Sequence, residues 1–217
     1  RDLVRSRGLG DVYKRQIEEI AVLSDKIARE YYTIPKEERK GKVNIVTSTS
    51  IFVPKPFTPF QWAPMIRPEE FVKRAYFVKD RFRAEKNHKS LKFQYHEADI
   101  TILEGLLARG DRKLCDVIYD VYKSGQIFDA WTEFFKKENW DNAMEKHGLD
   151  IDFYTYRNRD IDEILPWDFI DIGVTRRFLE REWENAQNEK VTPNCRQQCS
   201  GCGAARFGGG VCFENKN

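Results

Sequence analysis

Only two stretches of this chain read as β-strands, and that scarcity limits what it can fold into. Val43–Val53, VNIVTSTSIFV, is dense in β-branched residues and runs into prolines, the pattern of a buried strand. Leu91–His96, LKFQYH, alternates apolar and polar residues and reads as a second. Two strands cannot form a closed sheet with a buried centre. The fold class is therefore α/β but mostly helical, and the front half has the pattern of one end of a larger α/β domain.

The remaining segments carry helical spacing. Ile17, Ile20, Ala21, Ser24, Ile27, Ala28 and Tyr31 recur along one face of an amphipathic helix, which Pro35 and the charged loop KEERKGK end. The prolines of PKPFTPFQWAP forbid continued ladder pairing after the first strand. Pro68 fits the first turn of a second helix, with Glu69 and Glu70 beside its positive end. Leu114, Val117, Ile118, Val121 and Tyr122 form the next stripe, with Asp111 as the N-cap and Gly125 as the stop. Ile127, Phe128, Trp131, Phe134 and Phe135 predict a further helix. A short one is expected from Trp140 to Gly148, and a last from Thr175 to Lys190 with Phe178, Leu179 and Trp183 inward.

Residues 1–16, RDLVRSRGLGDVYKRQ, show no such period and resemble a translated adapter scar, so a non-native or disordered tail is expected there. Their five basic and two acidic residues carry a net +3, more than the chain's whole +2; without them 32 cations face 33 acids. The slight basicity therefore gives no indication of nucleic acid. The first residue is Arg, which reads as a fragment or a processed product. No apolar run approaches the roughly 20 residues of a membrane span, and no secretory leader is visible.

Four of the five cysteines fall at Cys195, Cys199, Cys202 and Cys212, as C-x3-C-x2-C-x9-C. Such tight spacing suits a tetrahedral thiolate site better than two disulfides and points to a reducing, cytoplasmic compartment. Glycines at 201, 203 and 208–210 let backbone N–H groups turn toward sulfur. A closed four-thiolate set takes structural zinc or an iron–sulfur cluster. Cys115, next to Leu114, is expected to be an ordinary buried thiol.

A family resemblance spans nearly everything from Ile17 onward. It rests on FVPKPFTPFQW (Phe52–Trp62), LEGLLARGDRKL (Leu103–Leu114), GQIFDAWTEFF (Gly125–Phe135), ILPWDFIDIGV (Ile164–Val174), FLEREW (Phe178–Trp183) and TPNCRQQCSGCGAARFGGGVC (Thr192–Cys212). As a set these resemble large bacterial radical S-adenosylmethionine (SAM) proteins with an N-terminal cobalamin-binding domain. Those proteins are usually linked to a downstream radical SAM-linked domain. Phe57 stands where the family usually has His.

The resemblance implies that residues 17–110 are the end of a partial (β/α) barrel, 111–190 a helical extension and 191–217 a metal-binding knuckle. It also implies that SAM, the catalytic [4Fe–4S] cluster and cobalamin are held in missing upstream regions of the same protein. A radical SAM cluster uses three cysteines, leaves one iron open and precedes most of the barrel strands. Here no strand follows the cysteines and Cys212 stands ready to close the shell, so this is not the catalytic cluster. Ser50, Phe52 and Val53, with Ser48 and Thr49, mark the strand end where such barrels hold the adenine and ribose of SAM. Their plainer reading is a buried strand with hydroxyls at its exit.

Other polar residues have structural readings beside the functional ones. His96 ends a strand and could face a barrel mouth, or serve structure alone; His88 and His147 carry no signal. Arg109 and Arg112 could clamp a phosphate or carboxylate, or flank a helix stop at Gly110. Pro166–Asp168 could be a site loop, or Trp167 an anchor for the helical extension. The competing function is a helical zinc-knuckle module binding RNA or protein. Against it, the tail offers few cations and only Phe207 and Phe213 for stacking. Catalytic residues are not identified.

Overall fold

The computed structural model describes residues 9–207, with side chains from Lys14. In order these form α1 (Leu9–Tyr32), β1 (Ile45–Thr49), α2 (Pro68–Ala84), β2 (Leu91–Tyr95), α3 (Ala98–Arg109), α4 (Leu114–Lys123), α5 (Lys137–Lys146), α6 (Ile151–Thr155) and α7 (Arg176–Gln187). The two strands run parallel, Ile45 opposite Leu91 and Thr49 opposite Tyr95. The mostly helical α/β reading is thus correct at this level. No helix among the described residues is long and apolar enough to cross a membrane. The chain divides into two compact units, residues 9–51 with 66–101 and residues 52–65 with 102–207.

In the first unit, β1, α2 and β2 form a strand–helix–strand crossover. Both strands are shorter than their β-rich sequences. The ladder ends where His96 N–H donates to the Thr49 carbonyl at 3.0 Å, because α3 begins two residues later and leaves Ser50–Val53 no partner. One sheet face is covered: Leu91 and Phe93 pack with Ala21 of α1 and Val78 and Phe82 of α2. The other carries Val46, Ser48, Lys92 and Gln94, all exposed.

Helix α1 starts at Leu9, eight residues before the expected Ile17. Propagating an established helix costs little once its nucleus is paid for by packing further along. Lys14, Arg15 and Gln16 are exposed, and residues 1–8 lie outside the described residues. The packed stripe of α1 is Ala21, Ser24, Asp25 and Ala28; Ile27, expected inward, is half exposed.

Asp25 is fully buried and clasps the unit. Its Oδ1 accepts from Asn87 N (2.9 Å) and Asn87 Nδ2 (3.0 Å), and Oδ2 pairs with Arg29 Nε at 2.5 Å. Burial alone would raise its pKa, but the Asn87 bonds and Arg29 outweigh it and hold the carboxyl below the usual range.

The second unit has two apolar clusters. Leu103 and Leu106 of α3 pack with Leu114, Val117 and Val121 of α4, Trp140 and Met144 of α5, and Tyr154 of α6. Trp62, Leu165, Trp167 and Leu179 form the other, flanked by Phe57, Val174, Phe178 and Trp183.

Several expectations fail here. Ile118 and Tyr122, expected inward on α4, are exposed, and the helix is preceded by Lys113 at its N-cap and not by Asp111. Residues 126–136 form turns, not a helix, and Ile127, Phe128, Trp131 and Phe134 are exposed while Phe135 alone packs on the core. Gly125 stops α4 at φ 88°, and buried Gln126 is then tied to Asp129 and accepts from Asn139 Nδ2 at 2.8 Å. Those side-chain bonds hold the backbone in turns that the apolar spacing does not encode. Cys115 is exposed, not buried, because the inward face of α4 is Leu114, Val117 and Val121. A residue one step from Leu114 is rotated about 100° away.

Replacing Asp25 with Ala strands the two Asn87 donors and unpairs Arg29, and should destabilise by about 2–4 kcal/mol in urea unfolding at pH 7. Because the folded pKa is lowered, this stability is present above the unfolded carboxylate value of about 3.9 and is lost as pH falls through the folded pKa. The deficit of Asp25→Ala should therefore shrink in acid. A deficit independent of pH would contradict the ionised clasp.

Candidate functional site

The segment 52–65 is held within its unit by backbone bonds from two buried arginines. Arg109, at the end of α3, donates from Nη1 to the Ala63 carbonyl at 2.6 Å, and Arg159 Nη2 donates to the Arg109 carbonyl at 3.0 Å. Arg159 N–H reaches the Trp62 carbonyl at 3.1 Å and Met65 N–H the Thr155 carbonyl at 2.9 Å. The Arg159 guanidinium also lies 5.3 Å from the Trp167 ring centroid. Burial, aided by neighbouring arginines, lowers the pKa of Arg109 to about 10 and that of Arg159 in the same direction. Glu163 lies 3.5 Å from Arg159 Nη1 and is already held by Arg157 at 2.6 and 2.7 Å. Arg109 is therefore a buried brace, and Arg112 is exposed; the two do not form a clamp.

Behind this brace a groove of about 310 Å³ opens between the segment 52–65 and residues 168–179. Its lining includes Phe57, Gln61, Asp168, Asp171, Thr175, Arg176 and Arg206. Phe57 holds a left-handed backbone, φ 59°, which is uncommon for a bulky side chain and costs on the order of 1 kcal/mol. What fixes it is Gln61: Oε1 accepts from Phe57 N at 3.0 Å and from Trp167 Nε1 at 2.8 Å. Trp167 is thus the anchor its sequence context predicts. Each acid has its own cation: Asp168 accepts from Arg176 Nη1 at 2.8 Å, and Asp171 pairs with Arg206. Thr175 caps α7, its hydroxyl accepting from Phe178 N at 3.3 Å.

The cysteine turn borders this groove. Thr175 N–H donates to the Cys202 carbonyl at 2.8 Å, and Arg181 to the Ser200 carbonyl. Gly203, at φ 97°, lies so close that a Cβ would meet the Gly173 carbonyl at 2.7 Å and Thr175 Cγ2 at 2.8 Å. Cys195 and Cys199 are exposed, Cys202 is half-buried, and none is in a disulfide. As donors, free thiols on a glycine-punctuated turn suit zinc or an iron–sulfur cluster. As placed, they are not gathered: among the described residues no group of three or more His, Cys, Asp or Glu side chains could hold a metal ion. Cys212 lies outside the described residues.

The strand-end candidates stand apart in character. Ser50, in the first unit, is exposed. In the second, Val53 is buried and Phe52 is exposed, its ring 5.5 Å edge-on from Phe60, which in turn meets Trp183 at 5.7 Å. His96 is exposed, and His147 Nε2 lies 2.6 Å from Asp120 Oδ2. Sequence reasoning passed over Gln61, Asp171, Arg176 and Arg206. The available signal was a glutamine inside the apolar run PFQWAP, a position that only a satisfied amide can occupy.

Comparisons of the chain with protein-family models, curated proteins and solved structures return no match.

The close approach of Gly203 gives a direct check on the docked tail. Gly203→Ala should release it, making trypsin cleavage after Arg196 and Arg206 at least several-fold faster while α7 remains folded by circular dichroism. Unchanged cleavage would show that the tail does not depend on this contact.

Proposed function

We propose that this chain is the C-terminal part of a cobalamin-dependent radical SAM enzyme, with a four-cysteine metal site in its tail. The observation that carries this reading is the two-faced parallel pair. Helices α1 and α2 contribute to an apolar face, while Ser48, Lys92 and Gln94 make the opposite face polar and exposed. All-parallel sheets are ordinarily covered on both sides. In a (β/α) barrel helices cover the outer face of the sheet and further strands close off the inner one, so one covered and one uncovered face is what the end of such a barrel presents. The motif set from Phe52–Trp62 to Thr192–Cys212 supplies the family resemblance.

On this reading the cluster of the family supplies a 5′-deoxyadenosyl radical from SAM when both are bound. The residues of this chain do less: Ser50, Phe52 and Val53 lie just beyond the C-terminal end of β1, the end at which barrel enzymes bind substrates and cofactors. The thiolates that hold the catalytic cluster, and the cobalamin domain, belong to missing upstream regions. Cys195, Cys199, Cys202 and Cys212 take zinc or an auxiliary iron–sulfur cluster, and free thiols suit a reducing cytoplasm. A radical SAM-linked domain is the expected downstream partner.

The DNA upstream of the Arg1 codon tests the assignment. An in-phase reading frame encoding a second C-x3-C-x2-C after a strand pattern is expected; an in-frame stop codon shortly before Arg1 would refute it. The isolated chain, reconstituted anaerobically with iron and sulfide, should form no 5′-deoxyadenosine above a protein-free control. Its formation would place a complete catalytic site within this chain.

A further inference from the structure

The groove behind the arginine brace has a chemistry of its own, independent of the radical SAM reading. Gln61 is 3% exposed and its orientation is forced: two donors, Phe57 N–H and Trp167 Nε1–H, require the oxygen on their side. The Nε2 end is then turned away from both, and it donates to nothing among the described residues while Gln61 lines the groove. That nitrogen is not among the buried side-chain atoms left without a partner, so water in the groove reaches it, and a ligand oxygen can take that water's place.

The second feature is the N-terminus of α7. Thr175 and Arg176 line the same groove, and the first turn of this 12-residue helix contains no acidic side chain. Thr175 N–H is taken by the Cys202 carbonyl and Phe178 N–H by Thr175, which leaves the Arg176 and Arg177 N–H groups and the helix dipole to favour an anion there. The side-chain charges do not oppose one, since Asp168 and Asp171 are each engaged with an arginine. The rest of the lining is apolar, from Phe57, Val174 and Leu179. At about 310 Å³ the space lies at the small end of ligand sites.

From this geometry we infer that the groove binds a small amphipathic carboxylate, its oxygens accepting from Gln61 Nε2 and the α7 N-terminus and its apolar body against Phe57 and Leu179. The ligand is recognised by one negative charge at one end and a ring or short chain at the other.

The test uses the whole chain with 3-phenylpropionate as probe and 3-phenylpropionamide as its neutral match, read by protein-observed NMR titration. A Kd on the order of 1 mM is within reach of so small a ligand, with the amide at least about tenfold weaker. In Gln61→Glu the new carboxylate keeps both accepted bonds but offers no donor, so the fold should persist and the affinity fall by about tenfold or more. Should that variant fail to fold, Arg206→Gln at the half-exposed rim carries the same test, with a several-fold loss expected. No saturable binding of the carboxylate, equal affinity for the amide, or unchanged affinity in the folded variant would each overturn the assignment.

Discussion

The second unit depends on one buried cation. Arg109 is fully buried, and its one hydrogen bond among the described residues is to the neutral Ala63 carbonyl. Removing a guanidinium from water costs several kcal/mol, and a single carbonyl returns only part of that. The remainder must come from the fit around it: Leu106 beside it on α3, the Trp62 cluster, and Arg159 bonded to its carbonyl. The return is positional. With Ala63 and Trp62 fixed by two arginines, Gln61 cannot shift, and the left-handed Phe57 and the Trp167 anchor follow from it. A polar residue is kept in the core here because it sets the path of an irregular segment that no strand or helix would hold.

Local chemistry was legible where one residue suffices to write it. Pro68 opens α2, Thr175 caps α7, and Gly125 and Gly148 follow α4 and α5 in the left-handed region. What stayed hidden depended on partners distant in sequence. The length of β1 is limited by β2, whose ladder ends before α3, so the β-branched residues past Thr49 had nothing to pair with. Nothing in the sequence marks Asp25 as buried, because its donors come from Asn87, 62 residues away. Arg109 read as half of a clamp or as the flank of a helix stop for the same reason, its acceptor Ala63 lying 46 residues away. The 127–135 stretch misled in the opposite sense, since its apolar spacing is genuine but Gln126 commits the backbone to turns first.

The candidate site was legible in outline only. The four cysteines stand out by spacing, yet the sequence does not say that the turn holding Cys195, Cys199 and Cys202 is docked on α7 through Cys202, Ser200 and Gly203. That docking brings a thiol-rich segment to the rim of the groove that Gln61 and Arg206 line. It ties residues 200–206 to the helical extension as part of the second unit.

Gathering Cys195, Cys199 and Cys202 with Cys212 around one ion is the step on which the tail's role turns. X-ray absorption at the metal edge of the purified, metal-loaded chain measures it directly. Four sulfur neighbours at about 2.3 Å are predicted, falling to three when Cys212 is replaced by Ser. A shell dominated by nitrogen and oxygen, or no metal retained after reconstitution, would contradict the closed thiolate site.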